Sequence, residues 1–412
     1  MCAKIIPFKA IRPVRDKAHL VASRPHYTYT KQILNAGLIE NPFSFLHIIN
    51  PEFKKSDKTR PNSIERFEKV QAKYEDFKKK EIFIQDENPC FYLYRQTVGD
   101  HAFLGLTVGV GISDYVEGHV KVHEQTITSR EEIFKTYLDI CGFNAEPVLL
   151  THREDPSIME IYQNRMTVRP EYEFSTPDQI KHEVWVIDDQ ETIDTLILKF
   201  DGISDVYVAD GHHRCASSAL LCEERKANNP DHNGTEGYNS FMAFLIPENR
   251  LKIYDFNRLV TEMNGILPEN LISALSANFS IKKAKKDFKP TKKHEFSMYL
   301  DKKWYCLNLL NEPNSDNPKD HLDPELLSQL ILSPIFGITD LKTDPKISFL
   351  NGKLGMKGLR AKVDRGEAKI AFGLFPVSVQ ELMLVADTKN SMPPKSTYIE
   401  PKLRSGLTIY EL

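Results

Sequence analysis

Apolar residues recur along this chain with two different periods, and the changes of period divide it into elements. Ile64, Phe67, Val70, Tyr74 and Phe77 fall three or four apart among Glu, Lys and Asp. That spacing is one apolar stripe on a surface helix, capped by Asn62 or Ser63 and running to about Lys80. Two apolar runs at 90–97 and 103–111 flank Val98-Gly99-Asp100-His101 and predict a hairpin. A polar stretch at 118–126 leads to a helix near 129–138. Short apolar runs at 147–150, 183–187 and 206–209 read as buried strands, with helices expected at 177–182 and 193–198.

After Val208 the pattern breaks at Asp210-Gly211 and turns helical from about His213 to Lys226, until Asn228-Asn229-Pro230 stops it. Another strand follows at 240–246. The prolines at 7, 13 and 25 cut the opening segment into extended pieces. Later stretches are less legible: a solvated lysine-rich run at 282–293, a polar loop at 311–320, a helix near 324–332, a strand at 368–374 and a helix at 379–387.

Strands alternating with helices place the chain in the α/β (α+β) class. A length of 412 residues exceeds what one core usually supports, so two domains are expected, at 1–250 and 251–412. Net charge is −3, without the basic excess of a duplex binder, so nucleic acid is not expected as a partner. A local cationic pocket for a phosphorylated small-molecule substrate remains open. No run of about 18 apolar residues suggests a membrane span, and residues 1–10 are too short and polar for a secretory signal. The six cysteines are scattered without a C-x-x-C pair, which suits reduced thiols and a cytoplasmic location.

Chemistry concentrates at Asp210-Gly211-His212-His213-Arg214, where a buried strand ends and a helix begins. A helix start offers backbone N–H groups and a positive dipole end to an anion. Arg214 adds a bidentate donor and the two imidazoles add more. For Asp210 three roles stay open: capping the helix, ligating magnesium, or accepting a proton. The plain competitor is a capping aspartate followed by surface histidines. Zinc on His212 and His213 is disfavoured, because adjacent histidines point apart and no H-x-H or H-E-x-x-H spacing exists.

Two further stretches carry polar chemistry. In Lys121-Val122-His123-Glu124-Gln125-Thr126, strand alternation would put Lys121 and His123 on one side and Glu124 on the other, with Glu124 a candidate base or metal ligand. In Met392-Pro393-Pro394-Lys395-Ser396-Thr397 the prolines stiffen a loop presenting Lys395, Ser396 and Thr397, followed by Lys402. Lysine and hydroxyl groups together suit a phosphate. No Walker-type G-x-x-x-x-G-K-[ST] sequence is present.

These motifs, with Asn41-Pro42-Phe43-Ser44-Phe45-Leu46 and Asp114-Tyr115, together resemble a large bacterial and archaeal family catalogued only as a domain of unknown function. The Asp-Gly-His-His-Arg element is also similar to that of free-serine kinases in the ParB/sulfiredoxin superfamily. The resemblance implies a ParB/sulfiredoxin-like N-terminal core; the portion after about residue 250 has no counterpart in those kinases, and there a second α+β domain is expected, its last loop returning to the site. It implies phosphoryl transfer on a small metabolite, serine or phosphoserine, with a nucleotide or pyrophosphate as donor and magnesium as cofactor. Asp210, His212, His213 and Arg214 would then bind phosphate and metal. The rival it leaves is a nucleotide-dependent regulatory module without turnover.

Overall fold

The chain gathers into two units in a computed structural model that describes residues 3–55 and 58–412; Cys2 lies outside the described residues. The first unit takes Met1–Lys121, Gln125–Leu251 and Pro401–Leu412, and the second Val122–Glu124 and Lys252–Glu400. Among the described residues no helix is long and apolar enough to cross a membrane.

A nine-stranded mixed sheet organises the first unit. Its order runs Val120–Lys121, Val206–Asp210, Val148–His152, Ser240–Pro247, His101–Gly111, Phe91–Val98, Ile180–Ile187 and Tyr172–Ser175, with Ile5–Ile6 also pairing to His101–Gly111. Every residue of Ser240–Pro247 is buried, as expected of a strand covered on both faces. The hairpin forms as the spacing predicts, with Val98 opposite His101 and Gly99 at φ +57° in the turn. Helix Ile64–Lys79 is capped by the Ser63 hydroxyl and buries Phe67, Val70, Tyr74 and Phe77.

One expectation fails here. Residues 177–182 are not helical: Gln179 turns at φ +59° and Ile180–Ile187 is a strand paired on both edges. The turn chemistry of Pro177-Asp178 outweighs any local helical pattern. Helix Pro156–Arg165, unforeseen in the hydrophobic pattern, starts on an Asp155 cap with proline in its first turn. Helix Lys31–Glu40, likewise unforeseen, has a Thr30 cap.

The second unit has a seven-stranded antiparallel sheet. Its order is Phe279–Ala284, Lys303–Leu309, Glu295–Leu300, Ile370–Gly373, Lys252–Val260 and Ile347–Asn351, and Thr397–Glu400 also pairs with Lys252–Val260. Most of this sheet escapes the hydrophobic pattern because its strands bury polar residues. Arg258 is fully buried, donates to the carbonyls of Phe256, Lys395 and Pro394, and lies 4.8 Å from the Phe349 ring. Lys282 and Lys283 are exposed on the end strand, where charge discourages edge-to-edge pairing. Helix Val379–Asp387 forms with a capping box between Ser378 and Glu381.

Two buried imidazoles in the first unit tie its stability to pH. Burial, aided by the neighbouring Arg404, pushes His182 down to about 3, and burial pushes His152 down to about 4. Arg404 Nε donates to His182 Nε2 at 3.2 Å, so Nδ1 carries the proton and donates to the Tyr94 hydroxyl at 2.7 Å. A ring held neutral when folded but protonated near 6.5 when unfolded stabilises fully above pH 6.5, and less as pH falls towards the folded value. By pH 5 each ring should remove up to about 2 kcal/mol, at about 1.4 kcal/mol per pKa unit. Melting temperature should therefore drop from pH 7 to pH 5, and His182→Gln should make that drop shallower. An unchanged slope in the variant would remove His182 from the account.

Candidate functional site

Strand Val206–Asp210 is buried up to Ala209 and reaches the surface at Asp210. Its pairing with Val148–His152 shifts register between Val208 and Asp210, a bulge that re-aims the strand's last side chain. Gly211 follows at φ +109°, a backbone conformation that disfavours any residue with a Cβ. A methyl group there would also lie 3.0–3.1 Å from the Arg214 guanidinium. Helix His212–Asn228 then begins, and no side chain caps it. Asp210 is thus not the helix cap: the bulge and the glycine turn its carboxylate elsewhere.

That carboxylate meets Lys402, whose ammonium stands 2.8 Å from Asp210 Oδ2. Partial burial raises the Asp210 pKa, but Lys402 and Arg214 outweigh it and hold the carboxyl below its usual range. Arg214 Nη1 donates to the carbonyls of Glu146 and Pro147 at 2.9 and 2.5 Å, which fixes the guanidinium over the turn and leaves its Nε/Nη2 edge for another acceptor. His212 is buried, and burial pushes it down to about 4 despite the nearby Asp210, so it is a neutral imidazole at pH 7. The cleft lined by Asp210, Arg214, Lys402, Tyr27 and Pro25 encloses about 20 Å³, room for about one water molecule.

Lys402 reaches this place because the chain's end is woven into the first unit. Ile409 exchanges backbone hydrogen bonds with Ile11, and Ser405 with Ser23. Tyr410–Glu411 pairs with Phe143–Asn144, and Arg404 binds Asp178 at 2.9 Å. The segment Asn41–Leu46 serves this return. Ser44 bonds Ser23 at 3.0 Å, and Phe45 packs so closely on Gly406, at φ +82°, that a methyl there would lie 2.8 Å from its ring. Asp114 likewise has a scaffold role, accepting the Lys4 N–H at 2.9 Å.

The remaining sequence candidates divide between the units. Lys121 pairs with Asp205 at 2.9 Å in the first unit. His123 and Glu124 belong to the second unit, where the His123 carbonyl accepts the Met392 N–H at 2.8 Å; His123 is buried and Glu124 exposed. Lys395, Ser396 and Thr397 are also in that unit. Lys395 sits at φ +57° with its ammonium 5.6 Å from the Phe256 ring centre. Ser396 is buried and its hydroxyl donates to the Pro393 carbonyl at 2.7 Å, which closes a turn. Thr397 opens the strand Thr397–Glu400. Glu146 and Pro147, which hold Arg214, act through backbone carbonyls, and no side-chain pattern could have flagged them.

Magnesium is often bound by one or two carboxylates plus ligand phosphates. Asp210 can supply one such oxygen, Oδ1, while Oδ2 faces Lys402.

Several solved structures are similar to the chain at low identity. Free serine kinase in complex with AMP is 14% identical, covering 73% of this chain and 91% of that one at a TM-score of 0.36. SbnI from Staphylococcus aureus, truncated at its C-terminus, is 12% identical over 74% and 87%, at 0.39. A conserved hypothetical protein from Pyrococcus furiosus is 13% identical over 75% and 94%, at 0.32. No curated protein matches. The family model described as "Protein of unknown function (DUF1015)" matches residues 5–329, most of the chain, and the protein belongs to that family.

Proposed function

We propose that the turn Asp210-Gly211-His212-His213-Arg214 binds the phosphate of a small metabolite, and that the chain catalyses phosphoryl transfer. Serine or phosphoserine is the first substrate to test, with a nucleotide or pyrophosphate as donor. The observation that carries the reading is the open Nε/Nη2 edge of Arg214, fixed over a glycine turn at an uncapped helix start. Helix-start amides and a guanidinium edge are complementary to phosphate oxygens. Lys402, held at 2.8 Å by Asp210, adds a second cation to the same cleft. The serine assignment rests on the resemblance of the motif to that of free-serine kinases.

Phosphoryl transfer requires mainly positioning and neutralisation of charge on the transferred group. Arg214 would orient the phosphate, and Lys402 would balance its charge. His212, neutral at pH 7, would serve as a hydrogen-bonding group rather than a cation. Bound magnesium would neutralise phosphate charge, with Asp210 as its protein ligand. His213 remains proposed as a proton-handling group, and Lys121 as a contributor to substrate binding. A phosphate needs more room than about 20 Å³, so binding requires the cleft to widen.

Phosphorus NMR of the protein with serine or phosphoserine and ADP, ATP or pyrophosphate should show phosphate moving between the pair. Spectra unchanged in every combination would end the transfer reading. Arg214→Ala should weaken AMP or inorganic phosphate by about 1.5–3 kcal/mol in calorimetry, the range for hydrogen bonds to charged groups. Equal affinity in wild type and variant would remove Arg214 from the site. Gly211→Ala should cost about 1–3 kcal/mol of stability in denaturant titration, the range for a residue forced into sparsely populated backbone space. A neutral substitution would show that the turn tolerates a Cβ.

A further inference from the structure

A second cavity, of about 330 Å³, lies in the first unit where helix Pro156–Arg165 ends beside strand Ile180–Ile187. In sheet order that strand is five positions from Val206–Asp210, roughly 24 Å at about 4.8 Å per strand. The cavity is therefore separate from the Asp210 turn. Arg165, Arg169, Glu87, Asn88, Asp188 and Trp185 are among the residues that line it.

Not every polar group here finds a partner within the protein. Arg12, at one wall, is already held by Asp86 at 2.8 Å, Glu171 at 3.0 Å and the Tyr172 hydroxyl at 2.9 Å. Two cations and two anions remain. Arg165 bonds the Val186 carbonyl and stands 4.0 Å from Asp188, while its buried Nε has no partner. Among the described residues Arg169 and Glu87 form no hydrogen bond or ion pair. A buried donor without an acceptor is destabilising, so it is retained where something compensates.

We infer that this cavity binds a small zwitterion, a free α-amino acid or a metabolite of similar size. Its carboxylate would face Arg165 and Arg169, and its ammonium would face Asp188 and Glu87. The presence of both signs decides the class. A phosphate would meet two carboxylates, and a simple amine would meet two guanidinium groups, with like charges in the same small space. The volume sits at the lower end of small-ligand pockets, about 300–1,000 Å³, which suits an amino acid and excludes a nucleotide held whole. Trp185 is among the lining residues, so its fluorescence offers a readout of occupancy.

The test is calorimetry and Trp fluorescence with each of the twenty common free amino acids, with acetate and methylammonium as single-charge probes. At least one amino acid should bind and perturb Trp185 emission, and neither single-charge probe should. Arg169→Ala and Asp188→Asn change exposed side chains, so both should fold with an unchanged melting temperature and lose at least tenfold in affinity. Arg214→Ala should leave this binding intact, which separates the site from the proposed phosphate turn. Absence of binding by every amino acid, or full affinity in both cavity variants, overturns the inference.

Discussion

The ion pair between Lys402 and Asp210 joins residues 192 positions apart, and the candidate site depends on it. Closing so long a loop costs little more entropy than closing a shorter one, because the cost grows only with the logarithm of length. Directed contacts must still hold the ends together. Here they are the backbone bonds of Ser405 to Ser23 and Ile409 to Ile11, with Arg404 locked onto Asp178. The segment Pro401–Leu412 is thus a structural part of the first unit, and its lysine arrives as a consequence.

Burial sets the charge state of the groups around that pair. His212, His182 and His152 are kept neutral because their surroundings cannot solvate an imidazolium. The positive charge in the cleft therefore comes from Arg214 and Lys402. Each is restrained by oxygen acceptors: two backbone carbonyls for Arg214, and a carboxylate for Lys402. Restraint of this kind reduces the entropy lost when a ligand binds, which is how a small number of charges can discriminate. In the second unit Arg258 does comparable work, using its guanidinium to hold the carbonyls of Pro394 and Lys395.

Local signals were strong where one residue dictates one conformation. The switch from Val206–Asp210 to helix His212–Asn228 was readable because an apolar run meets a glycine and then a helical period. Ser63 and the stripe from Phe67 to Phe77 likewise announced helix Ile64–Lys79. Strand Lys252–Val260 gave no such signal, since Asp255, Asn257 and Arg258 are polar yet buried. Residues 177–182 misled because a turn and a strand start occupy a stretch too short for periodicity to decide.

By itself the sequence determined the α/β class, the glycine turn, the chemical inventory of the Asp210 segment and membership of a recognisable family. Each follows from residue type and near-neighbour spacing, which the covalent chain carries in full. Only the tertiary structure decided that Lys402 meets Asp210, that Ser396 closes a turn, and that His212 is neutral. It alone brought Arg165, Arg169, Glu87 and Asp188 around one cavity. Those outcomes depend on which distant segments pack together and exclude water. Burial and ion pairing are properties of the packed neighbours, and no local pattern in the chain names them.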